Sequence, residues 1–163
     1  MKRLDLAEAM LQQAHDRLST AERAISSGNY SYAVRSSQEC VEFSLKAALR
    51  AVGVEYPKKH DVSRVLLRVK DRFPAWFAVD EFVQTSRELL ELREPAMYGD
   101  EVKMISPSAL FRREHAEDVF QKARETHEAC QRLVRDLRSS ATERVDRQSP
   151  QEGLVGQGAS DGC

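Results

Sequence analysis

The sequence is short of the residues that build loop-rich folds, β-sandwiches and membrane spans. Its 163 residues include only 7 glycines and 5 prolines, few for a fold rich in turns. No apolar run approaches the roughly 20 residues that a membrane span requires. The chain also turns polar directly after Met1-Lys2-Arg3-Leu4, unlike a signal peptide. We therefore expect a soluble, cytoplasmic protein that makes no membrane contact.

Cysteine and the usual ligand-binding motifs are scarce as well. The 3 cysteines, Cys40, Cys130 and Cys163, are widely spaced and never form a CxxC pair, which argues against a disulfide framework or a zinc site. The Glu-x-x-His pairs of diiron bundles are absent, as are the glycine-rich loops that cradle phosphates. We expect no metal site and no cofactor, with two of the thiols buried in helices.

Charge is abundant but balanced. Charged residues make up 31% of the chain, and the formal net charge is −1, so the protein is neither a basic nucleic-acid coat nor an acidic mimic. Any nucleotide or RNA site has to be local. The hydrophobic fraction of 41% is enough for a single core.

Apolar residues recur at helical spacing along most of the chain. The first segment has the stripe Leu4, Ala7, Leu11, Ala14, Leu18, Ala21 and Ile25. Further helices are predicted over 30–52, around 62–69, over 79–92 and from Pro107 to Arg138. The pattern predicts an all-α fold, an up-and-down bundle of four to five helices over residues 1–138. Residues 139–163 are rich in Ser, Arg, Gln and Gly and are predicted to form a disordered tail.

A polar elbow is predicted between two apolar helices, over residues 93–105, broken by Pro95 and Gly99. Arg93 offers a guanidinium fork that suits phosphate or carboxylate, and Tyr98 offers a hydroxyl. The alternative is structural: Arg93 caps helix carbonyls while the ring of Tyr98 packs under the loop.

A basic segment supplies further candidates for ligand binding. Lys58, Lys59 and His60 precede a helix whose exposed positions are rich in Arg and Lys, a local surplus that could attract phosphate. The alternative is a loop with a helix cap at Asp61 and a solvated helix face. Arg113, on the stripe of the last helix, is another candidate. The remaining histidines have structural interpretations: His15 at the surface, His115 near a helix start and His127 in the core.

Five segments together resemble the HEPN domain family, named for higher eukaryote and prokaryote nucleotide binding. They are Gly28–Ala33, Gln38–Leu49, Gly53–Val62, Arg93–Tyr98 and His115–Val119. The resemblance extends over about Leu4 to Arg138. It implies a helical bundle that dimerises. It also implies a relation to metal-independent endoribonucleases, often toxins encoded beside a minimal nucleotidyltransferase that acts as antitoxin.

The family's ribonuclease signature is an Arg followed, after four to six residues, by a His. Arg93 matches the arginine, but Tyr98 stands where the histidine belongs, and an ordinary tyrosine is a poor base at neutral pH. Three hypotheses follow. The first is a non-catalytic module that binds a nucleotide, RNA or a nucleotidyltransferase partner. The second is a ribonuclease that uses Arg93 with Tyr98 or with His60. The third is a purely structural dimeric helical interaction module.

Overall fold

A computed structural model describes residues 2–148, and this part of the chain is an all-α bundle, as predicted. Four long helices and two short ones follow one another: α1 (Lys2–Ser26), α2 (Tyr30–Ala51), α3 (Ser63–Arg68), α4 (Val79–Tyr98), α5 (Pro107–Leu110) and α6 (Arg113–Gln148). A 3₁₀ turn over Lys70–Arg72 follows α3. The only β-type pairing within residues 2–148 is one isolated bridge between Asp100 and Ile105.

Helices α1 and α2 form an antiparallel hairpin, and α2 is the central element. Every residue of the predicted α1 stripe is buried. The hairpin turn uses Gly28 at φ 78°, a backbone conformation that glycine adopts at little cost. The side chain of Asn29 then accepts a hydrogen bond from the backbone N–H of Tyr32, which caps α2. Because α2 packs against α1, α4 and α6, its polar side chains are also drawn into the interior.

The predicted end of the fourth helix at Leu92 is wrong, and so is the start of the elbow at Arg93. Helix α4 continues through Pro95 to Tyr98, although proline lacks the N–H that an interior helical position needs. Burial of Ala96 holds this last turn to the bundle, and Gly99 N–H donates to the Pro95 carbonyl at 2.9 Å. The chain leaves the helix only at Gly99, with φ 76°.

The last helix also differs from the prediction at both ends. Pro107 begins a single turn, α5, after which Phe111 is extended and buried in the core, and α6 starts at Arg113. At the other end α6 continues past Arg138 to Gln148, so the prediction of disorder is wrong for residues 139–148. There the hydroxyls of Ser139, Ser140 and Thr142 bond back to carbonyls one turn earlier. Residues 149–163, the rest of the predicted tail, lie outside the described residues.

No helix within residues 2–148 combines the length and the apolar character needed to cross a membrane.

Candidate functional site

The richest cluster of charged side chains lies on the polar side of α2. Gln38, Glu42 and Lys46 follow one another at intervals of four residues, so they stack along one face of the helix. Glu39 lies beside Gln38 on the same side. All three stacked residues are buried, because α1, α4 and the loop before α3 close around this face. We call it the α2 polar face.

Three arginines converge on the carboxylate of Glu39. Arg17 of α1 donates from Nε at 3.1 Å, and Arg35 of α2 donates from Nε at 3.3 Å. Arg93 of α4 places Nη1 at 3.7 Å from the same carboxylate. Three positive charges thus face one negative charge. We call Arg17, Arg35 and Arg93 the arginine cluster.

The positions of these guanidinium groups are fixed by further contacts. Arg17 lies over the ring of Phe43, with Cζ 4.3 Å from the ring centroid, a favourable cation–π distance. Arg93 Nη1 donates to Gln38 Oε1 at 2.7 Å. The amide of Gln38 in turn donates from Nε2 to Glu42 Oε2 at 3.3 Å. Gln38 therefore joins the arginine cluster to a second charged group.

That second group is centred on Glu42. Lys46 Nζ donates to Glu42 Oε1 at 2.7 Å, and His60 Nδ1 lies 3.0 Å from Oε2. Burial alone raises the pKa of Glu42, but the hydrogen bonds from Lys46, His60 and Gln38 outweigh it, so this pKa lies below its ordinary value. Glu42 is therefore ionised at neutral pH.

An ionised Glu42 determines the tautomer of His60. A carboxylate only accepts hydrogen bonds, so Nδ1 of His60 carries the proton and donates it. In the neutral imidazole this leaves the Nε2 lone pair available. The His60 side chain is 56% exposed, so that lone pair is accessible from solvent. The structure thus brings two of the sequence-predicted residues, Arg93 and His60, into one network through Gln38 and Glu42.

Tyr98 is not part of this network. It lies five positions after Arg93 on α4, which rotates it by about 140° around the helix axis. Its side chain is 61% exposed and lines a different surface, with Glu94, Asp100 and Glu101. The pairing of Arg93 with Tyr98 that the sequence suggested therefore has no support in the geometry.

The remaining predicted residues lie at the edges of the site or outside it. Lys58 and Lys59 are exposed in the loop that carries His60. Arg113 begins α6, where its guanidinium lies 5.4 Å from the ring centroid of Tyr30 and pairs with Glu117 at 3.4 Å. It makes no contact with the arginine cluster.

Sequence reasoning missed Arg17, Arg35 and Glu39. The spacing of Arg35 and Glu39 is a visible i,i+4 pair and could have been noticed. The contribution of Arg17 depends on how α1 packs across α2, which local sequence does not determine.

The metal-binding residue types are dispersed. Within residues 2–148, no three or more His, Cys, Asp or Glu side chains lie together as a metal site would need. Cys40 and Cys130 are buried free thiols, and burial raises the pKa of Cys40 to about 12. His127 is a core residue, as predicted, and its Nδ1 shares a hydrogen bond of 3.0 Å with Ser44 Oγ.

The fold and the site define a helical-bundle domain with a hydrogen-bonded, arginine-rich face on its central helix. The HEPN domain family model matches residues 7–133, which run from α1 into α6. The chain therefore belongs to the HEPN domain family. Comparison with curated proteins finds no match.

Proposed function

We propose that this HEPN protein is a non-catalytic module that binds the phosphate groups of a nucleotide or RNA at the arginine cluster. In this proposal it acts as a homodimer, in association with a minimal nucleotidyltransferase of the toxin–antitoxin type. Membership of the HEPN family supports the proposed association with a nucleotidyltransferase, and the charges of the α2 polar face support the proposed binding of phosphate.

The observation that carries the proposal is the convergence of Arg17, Arg35 and Arg93 on one carboxylate. Glu39 neutralises only one of the three charges. It engages Arg17 and Arg35 through Nε, while each guanidinium has five N–H donors in a fixed fork. Arg17 also donates from Nη1 to the Gln13 carbonyl, and Arg93 donates from Nη1 to Gln38. The remaining N–H groups belong to side chains that are 19–39% exposed, and these are the oriented donors that we propose for phosphate oxygens.

A binding experiment tests this proposal. A fluorescein-labelled single-stranded RNA is titrated with the full chain and followed by anisotropy, and ATP is titrated by calorimetry. We expect Arg93→Ala and Arg35→Ala each to weaken binding about tenfold, because a charge-assisted hydrogen bond contributes about 1.5–3 kcal/mol. We also expect the salt dependence of RNA binding to become shallower in each variant.

Two controls separate a local site from general charge and from folding. Arg124 is an exposed arginine on α6 that lies 4.0 Å from Glu128, so Arg124→Ala removes the same charge elsewhere and should leave affinity within twofold. Arg93→Lys keeps the positive charge but loses the guanidinium fork, so its affinity should lie between those of the wild type and Arg93→Ala. The proposal fails if the wild-type protein binds neither ligand, or if Arg124→Ala weakens binding as much as Arg93→Ala.

A second candidate function is a metal-independent endoribonuclease that uses His60 as its acid–base group. The hydrogen bond between Glu42 and His60 Nδ1 favours it, because a carboxylate that orients an imidazole is a recurring device in catalysis. Arg93 would then supply the cation near the scissile phosphate. The degenerate Arg-x4-Tyr motif has no role in this version.

Cleavage of labelled RNA by purified protein in the presence of EDTA tests the enzyme. Activity should disappear in His60→Ala and fall in Glu42→Gln, whereas Tyr98→Phe should retain it. An activity unchanged in His60→Ala would show a contaminating nuclease, and absence of cleavage by the wild type would eliminate this candidate.

A further inference from the structure

The turn over residues 99–105, which joins α4 to α5, exposes apolar side chains to an unusual degree. Val102 is 95% exposed and Met104 is 88% exposed. Met104 also has φ 56°, a left-handed conformation that is costly for a side chain of this kind. Tyr98, at the end of α4, adds an exposed ring next to this turn. Exposed apolar groups clustered in this way are typical of an interaction surface.

Hydrogen bonds and a close backbone contact constrain the conformation of this turn. Asp100 and Ile105 exchange two backbone hydrogen bonds of 2.9 Å, and Asp100 Oδ1 accepts from Lys103 N–H at 3.0 Å. At Gly99, any Cβ would lie 2.1 Å from the carbonyl oxygen of Ile105, so the turn closes tightly on the glycine. Val102 and Met104 are therefore presented without a large ordering cost on binding.

A cavity of about 420 Å³ opens beside the turn and is acidic. Glu94, Asp100 and Glu101 line it, together with Val102 and Leu110, and no basic side chain is among its lining residues. Lys103, in the same turn, places its Nζ 4.0 Å from Asp100 Oδ2. Glu94 and Glu101 have no ion-pair partner within residues 2–148. The cavity therefore favours a cationic occupant.

We propose that this turn and cavity are the docking site for a protein partner that presents an apolar pocket bordered by Lys or Arg. Val102 and Met104 enter the pocket, and a basic side chain of the partner enters the acidic cavity. RNA does not fit this surface, because the carboxylates repel phosphate. A second copy that pairs symmetrically through this surface would present the same acidic lining, which includes no basic side chain, so it would not supply the cation that the cavity favours.

This inference rests on the part of the proposed function that gives the domain a protein partner, and it names the surface that such a partner uses. Phosphate binding at the arginine cluster and partner docking at the turn would then take place on different sides of α4. Arg93 faces the α2 polar face, while Glu94 and Tyr98 face the cavity. The two proposals therefore fail or hold separately.

Site-directed photo-crosslinking identifies the occupant. Val102 is replaced by benzoylphenylalanine in the full-length chain, expressed in cells of its own source, and the crosslinked molecule is identified by mass spectrometry. The same replacement at Leu6, an exposed apolar residue of α1, is the matched control. We expect a crosslink to a different protein from position 102 and not from position 6. A crosslink to a second copy, nucleic acid or lipid, or no crosslink, overturns the proposal.

The identified protein is then purified and titrated by calorimetry with the full chain. We expect Val102→Asp and Glu101→Lys each to weaken binding about tenfold or more, as residues at the centre of an interface do. Leu6→Asp and Glu22→Lys, matched changes on α1, should stay within twofold. Equal affinity for the wild type and both turn variants overturns the proposal. Arg93→Ala should lower the affinity for RNA and leave the affinity for the partner unchanged. Val102→Asp should do the opposite. These two results separate this proposal from the proposal of phosphate binding.

Discussion

The ion pair between Glu42 and Lys46 gives the sharpest prediction for stability. Both side chains are nearly enclosed, at 7% and 10% exposed, and their charged atoms lie 2.7 Å apart. We expect Glu42→Ala to lower the free energy of unfolding substantially, because Lys46 would be left charged and without its carboxylate. Removing one partner of a buried pair costs about 3–5 kcal/mol. Since Lys46 keeps some contact with solvent, about 3 kcal/mol is expected here.

The double variant Glu42→Ala/Lys46→Met separates the stranded charge from lost packing. When both charged groups are removed, no ion remains buried alone, and an apolar replacement of a pair is often nearly neutral. We therefore expect the double variant to regain most of the loss. Adding Lys46→Met to Glu42→Ala should therefore recover about 2 kcal/mol of the free energy of unfolding.

Urea unfolding at pH 7, followed by far-UV circular dichroism, measures these differences. For a chain of this length, a loss of about 3 kcal/mol should lower Tm by about 6–12 °C. Glu88 pairs with Lys122 at 3.0 Å on the exposed surface, so Glu88→Ala is the matched control, with an expected cost below about 1 kcal/mol. If Glu42→Ala costs no more than Glu88→Ala, or if Lys46→Met restores nothing, the reasoning is refuted.

Two further predictions concern a buried histidine and a glycine turn. Burial, aided by the nearby His15, lowers the pKa of His127 to about 4, below its unfolded value, so the unfolded chain binds more protons and stability falls as the pH drops below about 6.5. Urea unfolding should show about 2 kcal/mol less stability at pH 5 than at pH 7 from this group, and this part should vanish in His127→Gln; an unchanged pH slope would contradict it. Gly99→Ala should cost more stability than Gly28→Ala: both glycines have positive φ, but only at Gly99 would a Cβ meet a backbone atom, the Ile105 carbonyl oxygen at 2.1 Å. Equal decreases of Tm in the two variants would show that the backbone of the turn shifts to accommodate the added Cβ.

The parts of the fold that depend on local pattern were predictable from the sequence. The alternation of Leu and Ala in α1 marks its buried stripe, because helical spacing places those residues on one face. The Glu42–Lys46 pair was visible for the same reason. Its burial was not, because enclosure by α4 and by the loop before α3 is a property of tertiary packing.

The errors in the prediction came from local signals that the tertiary structure overrides. Pro95 normally ends or kinks a helix, and the sequence contains no sign that Ala96 packs into the core and holds the last turn of α4. Apolar periodicity stops at Arg138, and for this reason the sequence predicts the end of α6 there. An exposed helix needs no buried stripe, and α6 continues to Gln148 with the i,i+4 pair Glu143–Arg147 on its surface.

The candidate site was only half visible in the sequence. Arg93 and His60 could each be named, but 33 residues separate them in the numbering, and their connection runs through Gln38 and Glu42. Residues that are connected only through side chains of another helix leave no signal in the local spacing of the sequence. The motif Arg93-x4-Tyr98 drew attention to a pair that lies on different sides of one helix.

The amide of Gln38 has a consequence for how this protein can vary in evolution. Its oxygen accepts from Arg93 and its nitrogen donates to Glu42. A glutamate at position 38 would suit the arginine but repel Glu42, and a lysine would do the reverse. Only a side chain with an acceptor and a donor at its tip satisfies both neighbours. Variants of this domain that keep Arg93 and Glu42 should therefore keep glutamine at position 38, and a change there should be accompanied by a change in one of the other two.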